Sequence, residues 1–594
     1  MVIFAGLSQT KRCVFQPFVR IGFLLLLTLF ASCNTPPPPP LPSDVQCTAR
    51  SSNPVALTMD YSSEQEAWID DVVANFNRQH KTACDGPITV TATPVGSGES
   101  MQQIVGGTLH PDIWSPAGSV WLALMSKAWS QKYKTNLISN GAHDTPPLVI
   151  SPVVIAMWLP EAQALGWPKP ISWSALASLS TDPRGWAAYK HPEWGTFKFS
   201  HTLPEVSNSG LDAVIAENYA GSQEPQGLTL ADVNSPRTQA FVANVESSIS
   251  YYGDENSTSS GFLAGAMFCH DLHYLSAAVM YENLVVEGND GNLKWQGKAC
   301  PRPAPADKVV AIYPKEGTFY SDHPFVIPQA SWVTPAKKAA AIVFRDFLLA
   351  SDQQQKALRY GFRPASRTVA IGSPINSDHG VDPQQPLVVL QIPPVNVIEA
   401  IQANWQKQRK RLDVMLILDH SGSMDETVNG ISKIAAAKQG LVQFVNLLHD
   451  LDGLGLTTFN HVAELLTRVS PLGPKRQKVL ELINGIVVSG NTRLYDTIDE
   501  QWHALQKLFP THIKVLIVLT DGRDNQSRLT ESQLVDDLKQ STSDAGPMRI
   551  FTLAYGQNVN RNALIAIAEA TGGQEFDGTP QNIQHLYIQI SQSV

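Results

Sequence analysis

Apolar and polar residues change their spacing along this chain in a way that marks alternating strands and helices. Residues 55–59, apolar except for Thr58, read as a strand. From 64 to 79 the residues Trp68, Val72, Val73 and Phe76 fall on one helical stripe. Residues 88–95 alternate apolar side chains with threonine, as a half-buried strand does, and 112–115 reads as another short strand. Far along the chain, 414–418 is a continuous apolar run and 513–520 a second apolar strand, the pattern of strands covered on both faces. Around them lie a stripe of Ile434, Leu441, Phe444, Val445 and Leu448, a strand at 454–459, helices at 474–486 and 494–508, a capping-box start at Thr530 with Gln533, a strand at 548–555 and a helix at 564–570. This alternation predicts an α/β chain, with helices covering Rossmann-like sheets.

Candidate chemistry gathers at the ends of the two buried runs. The first ends in Asp419, with Ser421 and Ser423 following at alternate positions, and the second ends at Asp521-Gly522. Gly490-Asn491-Thr492 supplies a further hydroxyl. Open α/β sheets place ligands at the carboxyl ends of their strands. Carboxylates and hydroxyls are hard oxygen donors, suited to Mg²⁺, Mn²⁺ or Ca²⁺ rather than zinc. Residues 412–594 resemble a von Willebrand factor A (VWA) domain, because DxSxS, a threonine after a glycine, and TDG occur in the order of its metal-ion-dependent adhesion site. The resemblance implies Asp419, Ser421, Ser423, Thr492 and Asp521 as the metal positions, with His420 pointing away. It implies direct ligation by the three hydroxyls, action of the two aspartates partly through water, and an open coordination position for an acidic side chain of a protein partner. It extends to bacterial VWA proteins similar to calcium-activated chloride channel regulators.

The N-terminal half carries serine and glycine at three strand-to-helix turns, at Ser62/Ser63, Ser97 and Ser119. Serine is a favoured helix N-cap, so one such turn implies little. Three at matching strand ends predict a cleft where backbone N–H groups and hydroxyls meet an anion or polar ligand. Residues 56–370 resemble a type 2 periplasmic solute-binding protein, in the branch that includes molybdate and other oxyanion receptors. The resemblance rests on GSGES at 96–100, PDIWSPAGS at 111–119, FSHTLPEVSNSGLDAV at 199–214, AIYPKEGTFYSDHPFVI at 311–327 and FRDFLLASDQQQKALRYGFRPA at 344–365. It implies two α/β lobes joined by crossings near 149–159 and 311–314, a second lobe over 160–310, and a cleft lined by Ser63, Ser97, Ser119, Ser207, Ser209 and Tyr313. The solute expected there is small, with anions among the candidates. Glu99 and Glu205 near the cleft argue against a dianion, because a buried carboxylate beside an oxyanion is costly unless paired.

The first fifty residues bear on location. Lys11, Arg12 and Arg20 precede an apolar segment at 21–31, too short to span a bilayer comfortably and fitting the core of a signal peptide. Phe30-Ala31-Ser32-Cys33 resembles a bacterial lipobox, with Phe30 where leucine is more usual. That implies a signal peptide over 1–32, cleavage before Cys33 and lipid on its sulfur, an ordinary signal peptide or a stray buried cysteine being the alternatives. Pro36–Pro40 and Pro42 form a stiff extended spacer within 33–50. Cys47, Cys84, Cys269 and Cys300 remain. They allow three pairings, and the sequence-local one is Cys47–Cys84 with Cys269–Cys300. Cys269-His270-Asp271-Leu272-His273 could be read as a metal cluster, but that disulfide would remove its thiolate.

The domains expected are the solute-binding part at 51–371, a linker and helix at 372–411, and the VWA part from 412. The helix ends in the basic run Lys407-Gln408-Arg409-Lys410-Arg411, expected to be a solvated helix face, with contact to anionic lipid as the alternative. A net charge of −9 and the absence of a basic domain speak against nucleic-acid binding. The chain has no P-loop, HExxH or GxSxG, so binding is expected rather than catalysis. The expected function is a lipid-anchored extracytoplasmic protein that captures a protein partner through a divalent cation and a small solute in its two-lobed domain. The alternative is a receptor of an ABC-type transport system with an accessory VWA domain.

Overall fold

The computed structural model describes residues 52–590, apart from 140–144, 225, 251–258, 296–297, 509–510, 543–547, 557–558, 585 and 588–589. The signal peptide, Cys33, the proline run and Cys47 lie outside the described residues.

The first lobe is built on a four-stranded sheet in the order Thr82–Ala83, Gly86–Pro94, Val55–Tyr61, Ile113–Ser115. Val55–Tyr61 runs parallel to both of its neighbours. The expected helical stripe forms the helix Glu66–Arg78 and buries Trp68, Ile69, Val72 and Phe76. Phe76 meets Phe344 and Phe347 edge-on, at 4.8 and 5.1 Å between ring centroids. The segment expected to open this helix is instead a 3-10 turn, Ser63–Gln65. The Glu64 carboxylate turns inward there, accepting from Ser62 Oγ at 2.5 Å and from His323 Nε2 at 2.7 Å.

The strand Val149–Trp158 belongs to both lobes. Its first half pairs with Tyr320–Ser321 and Arg363–Pro364, and its second half with Ala277–Tyr281 and Val309–Ile312. It is the first crossing, and Val309–Ile312 leads into the second. The second lobe is centred on the helix Asn208–Ser222, buried on almost every face, as a helix is when others pack all round it. Cys269 and Cys300 form a disulfide, as the sequence-local pairing requires. Cys84 is also disulfide-bonded.

The C-terminal sheet has six strands in the order Ala463–Pro471, Gly453–Phe459, Leu412–Asp419, Ile513–Thr520, Met548–Tyr555, Glu575–Gly578. All pairings are parallel except that of the edge strand Ala463–Pro471. Every residue of Leu412–Asp419 and Ile513–Thr520 is buried, which explains the apolar stretches 414–418 and 515–519 within them. Among the described residues no helix is long and apolar enough to cross a membrane.

The join differs from the expectation. The helix Val395–Gln408 buries Val397, Ile398, Ile401 and Trp405 and touches both lobes. Glu399 accepts from Lys127 of the first lobe at 2.5 Å, and Asn404 Nδ2 donates to the Val233 carbonyl of the second at 3.2 Å. The basic run is a solvated face only at Lys407; Arg409 is buried, and Lys410 and Arg411 are half-buried. Arg409 donates to buried Asp452 at 2.5 Å, Lys410 Nζ donates to the Ile249 carbonyl at 2.9 Å, and Arg411 closes the helix by donating to the carbonyls of Gln406 and Lys407. Burial lowers the Lys410 pKa to about 8. Arg409 and Lys410 thus satisfy a carboxylate and a carbonyl at the junction between the domains, partners 43 and 161 positions away in sequence.

Candidate functional site

The register of the central strands decides where the C-terminal donors meet. Leu418 pairs with Leu519 and Asp419 with Phe459, so the loops after both buried strands leave the same sheet edge side by side. Asp419 is held from two directions: Ser421 N–H donates to Oδ1 at 2.8 Å and Thr520 Oγ1 to Oδ2 at 2.5 Å. Ser423 Oγ donates to Asp521 Oδ1 at 2.7 Å, and the Ser421 and Ser423 hydroxyls are 3.1 Å apart. Gly490 takes φ +78° to turn the third loop inward, and its carbonyl accepts from Gly422 N–H at 3.1 Å. Thr492 N–H donates to Asn525 Oδ1 at 3.0 Å. A Cβ on Gly522 would lie 3.0 Å from Thr492 Oγ1 and 3.8 Å from Asp419 Oδ2, so the three loops close round one point and Gly522 keeps it clear. The His420 ring turns to the Val487 carbonyl, with Nδ1 donating at 2.8 Å.

Burial pushes the Asp419 carboxyl up to about 6 against the pull of its Thr520 and Ser421 hydrogen bonds, and nearby Asp521 adds to the rise. Sequence reasoning missed Lys433. It is the first residue of the helix Lys433–Leu447 and is buried. Its Nζ donates to Asp521 Oδ2 at 2.7 Å and to Glu426 Oε2 at 2.6 Å. A lysine at a helix N-terminus opposes the helix dipole, and that was the available signal that it had a specific anionic partner.

In the solute-binding part, five of the six predicted cleft residues lie at or beside the meeting of the lobes, and the protein satisfies most of them itself. Ser97 Oγ accepts from Ala117 N–H at 2.9 Å. Ser119 donates through N–H and Oγ to Asp322 at 2.8 and 2.5 Å. Ser63 is half-buried, with its carbonyl toward Gly261 of the second lobe. Ser207 is buried at the start of Asn208–Ser222 and makes no capping bond. Ser209 Oγ bonds the hydroxyls of Thr202 and Ser260 at 2.9 and 2.6 Å. The sixth, Tyr313, is drawn elsewhere. Its hydroxyl donates to the Glu282 carboxylate, and its ring lines a separate cavity of about 480 Å³ with Trp167, Pro170 and Asp382.

The lobes are in direct contact. The N–H groups of Gly98 and Glu99, which open the helix Ser97–Gly106, both donate to the Val206 carbonyl of the second lobe, at 2.9 and 3.3 Å. That carbonyl occupies the position where a helix N-terminus would hold an anion. Trp121 Nε1 donates to Asn208 Oδ1 at 3.1 Å, and Asn208 Nδ2 donates to Asp212 at 2.8 Å and to Ser321 at 3.1 Å. Burial raises the Asp212 pKa to about 8.

Comparison with known proteins finds two family models along the chain. The model described as bacterial extracellular solute-binding protein matches residues 57–363, and that of the von Willebrand factor type A domain matches 414–523. An uncharacterised protein of Mycobacterium tuberculosis is 22% identical over 542 residues, covering 87% of this chain and 73% of that protein. Calcium-activated chloride channel regulator 1 of Macaca mulatta is 28% identical over 171 residues, 28% of this chain and 17% of the regulator. Among solved structures, a periplasmic thiamin binding protein covers 62% of this chain and 100% of its own at 13% identity, with a TM-score of 0.41. A von Willebrand factor type A structure from Catenulispora acidiphila covers 31% of this chain, which spans 42% of it, at 21% identity and a TM-score of 0.27. With its two-lobed part matched over more than half of its length, the chain belongs to the bacterial extracellular solute-binding proteins and carries a von Willebrand factor type A domain behind the solute-binding one.

Proposed function

We propose that this is an extracytoplasmic binding protein whose VWA loops hold a divalent cation, Mg²⁺ or its relatives Mn²⁺ and Ca²⁺, and through it capture an acidic side chain of a protein partner. The observation that carries the reading is the convergence of Asp419, Ser421, Ser423, Thr492 and Asp521 from three loops on one sheet edge. The donor set fits a hard cation, with two buried carboxylates and three hydroxyls. The cation would supply an electrophilic coordination position, and the chain's residues hold and orient it. Thr520 and Ser421 fix Asp419, and Ser423 and Lys433 fix Asp521. Two apolar residues flank the loops, Val462 at 56% exposure and Val487 at 74%, a rim suited to a protein surface. Attachment to a membrane through lipid on Cys33 completes the proposal and rests on the lipobox-like sequence alone. In the two-lobed domain a small solute enters only after the lobes part, because the closed lobes fill the meeting point with Val206, Asn208 and Trp121.

Calorimetric titration of Mg²⁺ and Mn²⁺ into the chain tests the cation site. Saturable binding lost in Asp419→Ala, Ser421→Ala is expected, and binding that survives in this variant rejects the assignment. Lys433 competes for Asp521, so Lys433→Met is expected to tighten Mg²⁺ binding about tenfold, the effect of one modest charge contact near 1.4 kcal/mol, while lowering the melting temperature of the cation-free protein. Unchanged affinity would show that Lys433 and the cation do not share Asp521.

Affinity also follows pH. The cation requires ionised Asp419, which holds its proton up to about pH 6. Binding is therefore strongest above that value and weakens as pH falls through it, by about tenfold one unit below. Titrations at pH 5 and pH 8 check this, and equal affinities would place the Asp419 pKa elsewhere.

A further inference from the structure

The second lobe contains a constellation that neither binding role uses. His201, Glu217 and Glu246 are all fully buried, and one ligand atom of each lies within 4.8 Å of the others. They come from three separate places. His201 follows the strand Phe199–Ser200, Glu217 stands in the helix Asn208–Ser222, and Glu246 ends the helix Pro236–Glu246.

His201 Nδ1 is 2.7 Å from the Thr202 carbonyl. Only an N–H can face a carbonyl at that distance, so Nδ1 carries a proton. Nε2 then points at Glu246 Oε1, 2.9 Å away. In the neutral ring that is a lone pair against a carboxylate oxygen, so either a second ring proton or a metal ion lies between them. Neither oxygen of Glu217 has a hydrogen-bond partner among the described residues. Buried polar groups without partners are rare and call for an explanation.

We propose that His201 Nε2 and the carboxylates of Glu217 and Glu246 form a structural site for a divalent transition-metal ion of the zinc class. An imidazole and two carboxylates are suitable donors for such an ion. Ligating histidines commonly anchor their other ring N–H on a backbone carbonyl, as His201 does on Thr202. One doubly charged ion neutralises both carboxylates, which removes the cost of burying them. Two protons would balance the same charge, as an imidazolium on Glu246 and a neutral Glu217, but the Glu217 oxygens would still lack partners. The ion would tie two helices of the second lobe together beneath the helix Val395–Gln408, whose Trp405 ring lies 6.4 Å from the His201 ring.

The test uses the full chain carrying Asp419→Ala, Ser421→Ala and His503→Ala. These disable the VWA site by taking away two of its five donors, and take away the histidine of the other histidine–carboxylate group found among the described residues, Asp499, His503 and Asp537. Native mass spectrometry after incubation with Zn²⁺ and gel filtration is expected to show one retained ion per chain. Co²⁺ in its place is expected to give visible ligand-field bands that Zn²⁺ abolishes. Adding Glu217→Gln is expected to remove the bands and weaken Zn²⁺ at least a hundredfold, with near-UV circular dichroism reporting whether that variant folds. A chain with the VWA and His503 donors removed that retains no ion overturns the proposal whether or not Glu217→Gln folds, and shows a triad neutralised by protons. Unchanged Zn²⁺ affinity in a folded Glu217→Gln variant overturns it equally.

Discussion

Arg409→Ala is expected to destabilise the protein by about 3–5 kcal/mol, the usual cost of leaving one member of a buried ion pair without its partner. Asp452 is 1% exposed and cannot turn to water when the guanidinium is lost. Its Oδ2 accepts from Arg409 at 2.5 Å and from His449 N–H at 3.3 Å, and its Oδ1 accepts from Leu412 N–H at 3.2 Å. Two backbone donors are too few to hold a buried charge. Leu412 is also the first residue of the strand that ends at Asp419, so the loss is felt where the VWA sheet begins. Urea denaturation of wild type, Arg409→Ala and the double variant Arg409→Ala, Asp452→Asn checks this. The double variant is expected to recover much of the loss, because it removes the stranded charge. Lys478→Ala, at an exposed side chain, serves as a control expected to stay within about 0.5 kcal/mol. A loss in Arg409→Ala no larger than that control would mean that Arg409 and Asp452 do not pair.

Gly98→Ala is expected to push the lobes apart. A Cβ at this position would stand 2.3 Å from the Glu205 carbonyl oxygen, 2.6 Å from the Trp121 ring and 2.8 Å from Val206 Cα. Two of these are backbone atoms of the second lobe and cannot swing aside as a flexible side chain would. Overpacking of this kind costs about 1–3 kcal/mol, so the balance moves toward separated lobes by about five- to 150-fold. Small-angle X-ray scattering is expected to give a larger radius of gyration for Gly98→Ala than for wild type. An unchanged radius with unchanged stability would show that the Gly98–Val206 contact does not hold the lobes closed.

What could be read in advance follows from how local each feature is. Asp419, Ser421 and Ser423 lie within five residues at the end of an apolar run, so the strand and its donor loop are legible together. The two-lobed architecture was legible through long stretches of family pattern. Lys433 was not, because its two anionic partners become visible only once the helix is docked against the loops. The basic run at 407–411 was misread because charge patterning assumes water outside. Burial of Arg409 depends on Asp452, 43 positions away. The strand-to-helix turns at Ser97 and Ser119 are legible locally, but no local pattern indicates that the Val206 carbonyl fills the start of Ser97–Gly106. His201, Glu217 and Glu246 have no recognisable spacing and meet only through helix packing.

The helix Val395–Gln408 touches both lobes and runs, after three basic residues, straight into Leu412–Asp419. Suppose a captured partner is pulled away from the protein. Tension then enters the chain at Asp419 and travels about 26 Å down an eight-residue strand. That strand is bonded along its length to Gly453–Phe459 on one side and Ile513–Thr520 on the other, so the pull is taken in shear by two ladders at once instead of peeling one bond at a time. Beyond it the load passes through Arg409 and Asp452 into a helix fastened to the closed lobes. Under such a pull the solute-binding domain would act as a mechanical mount, stiff while its lobes stay shut and compliant when they part.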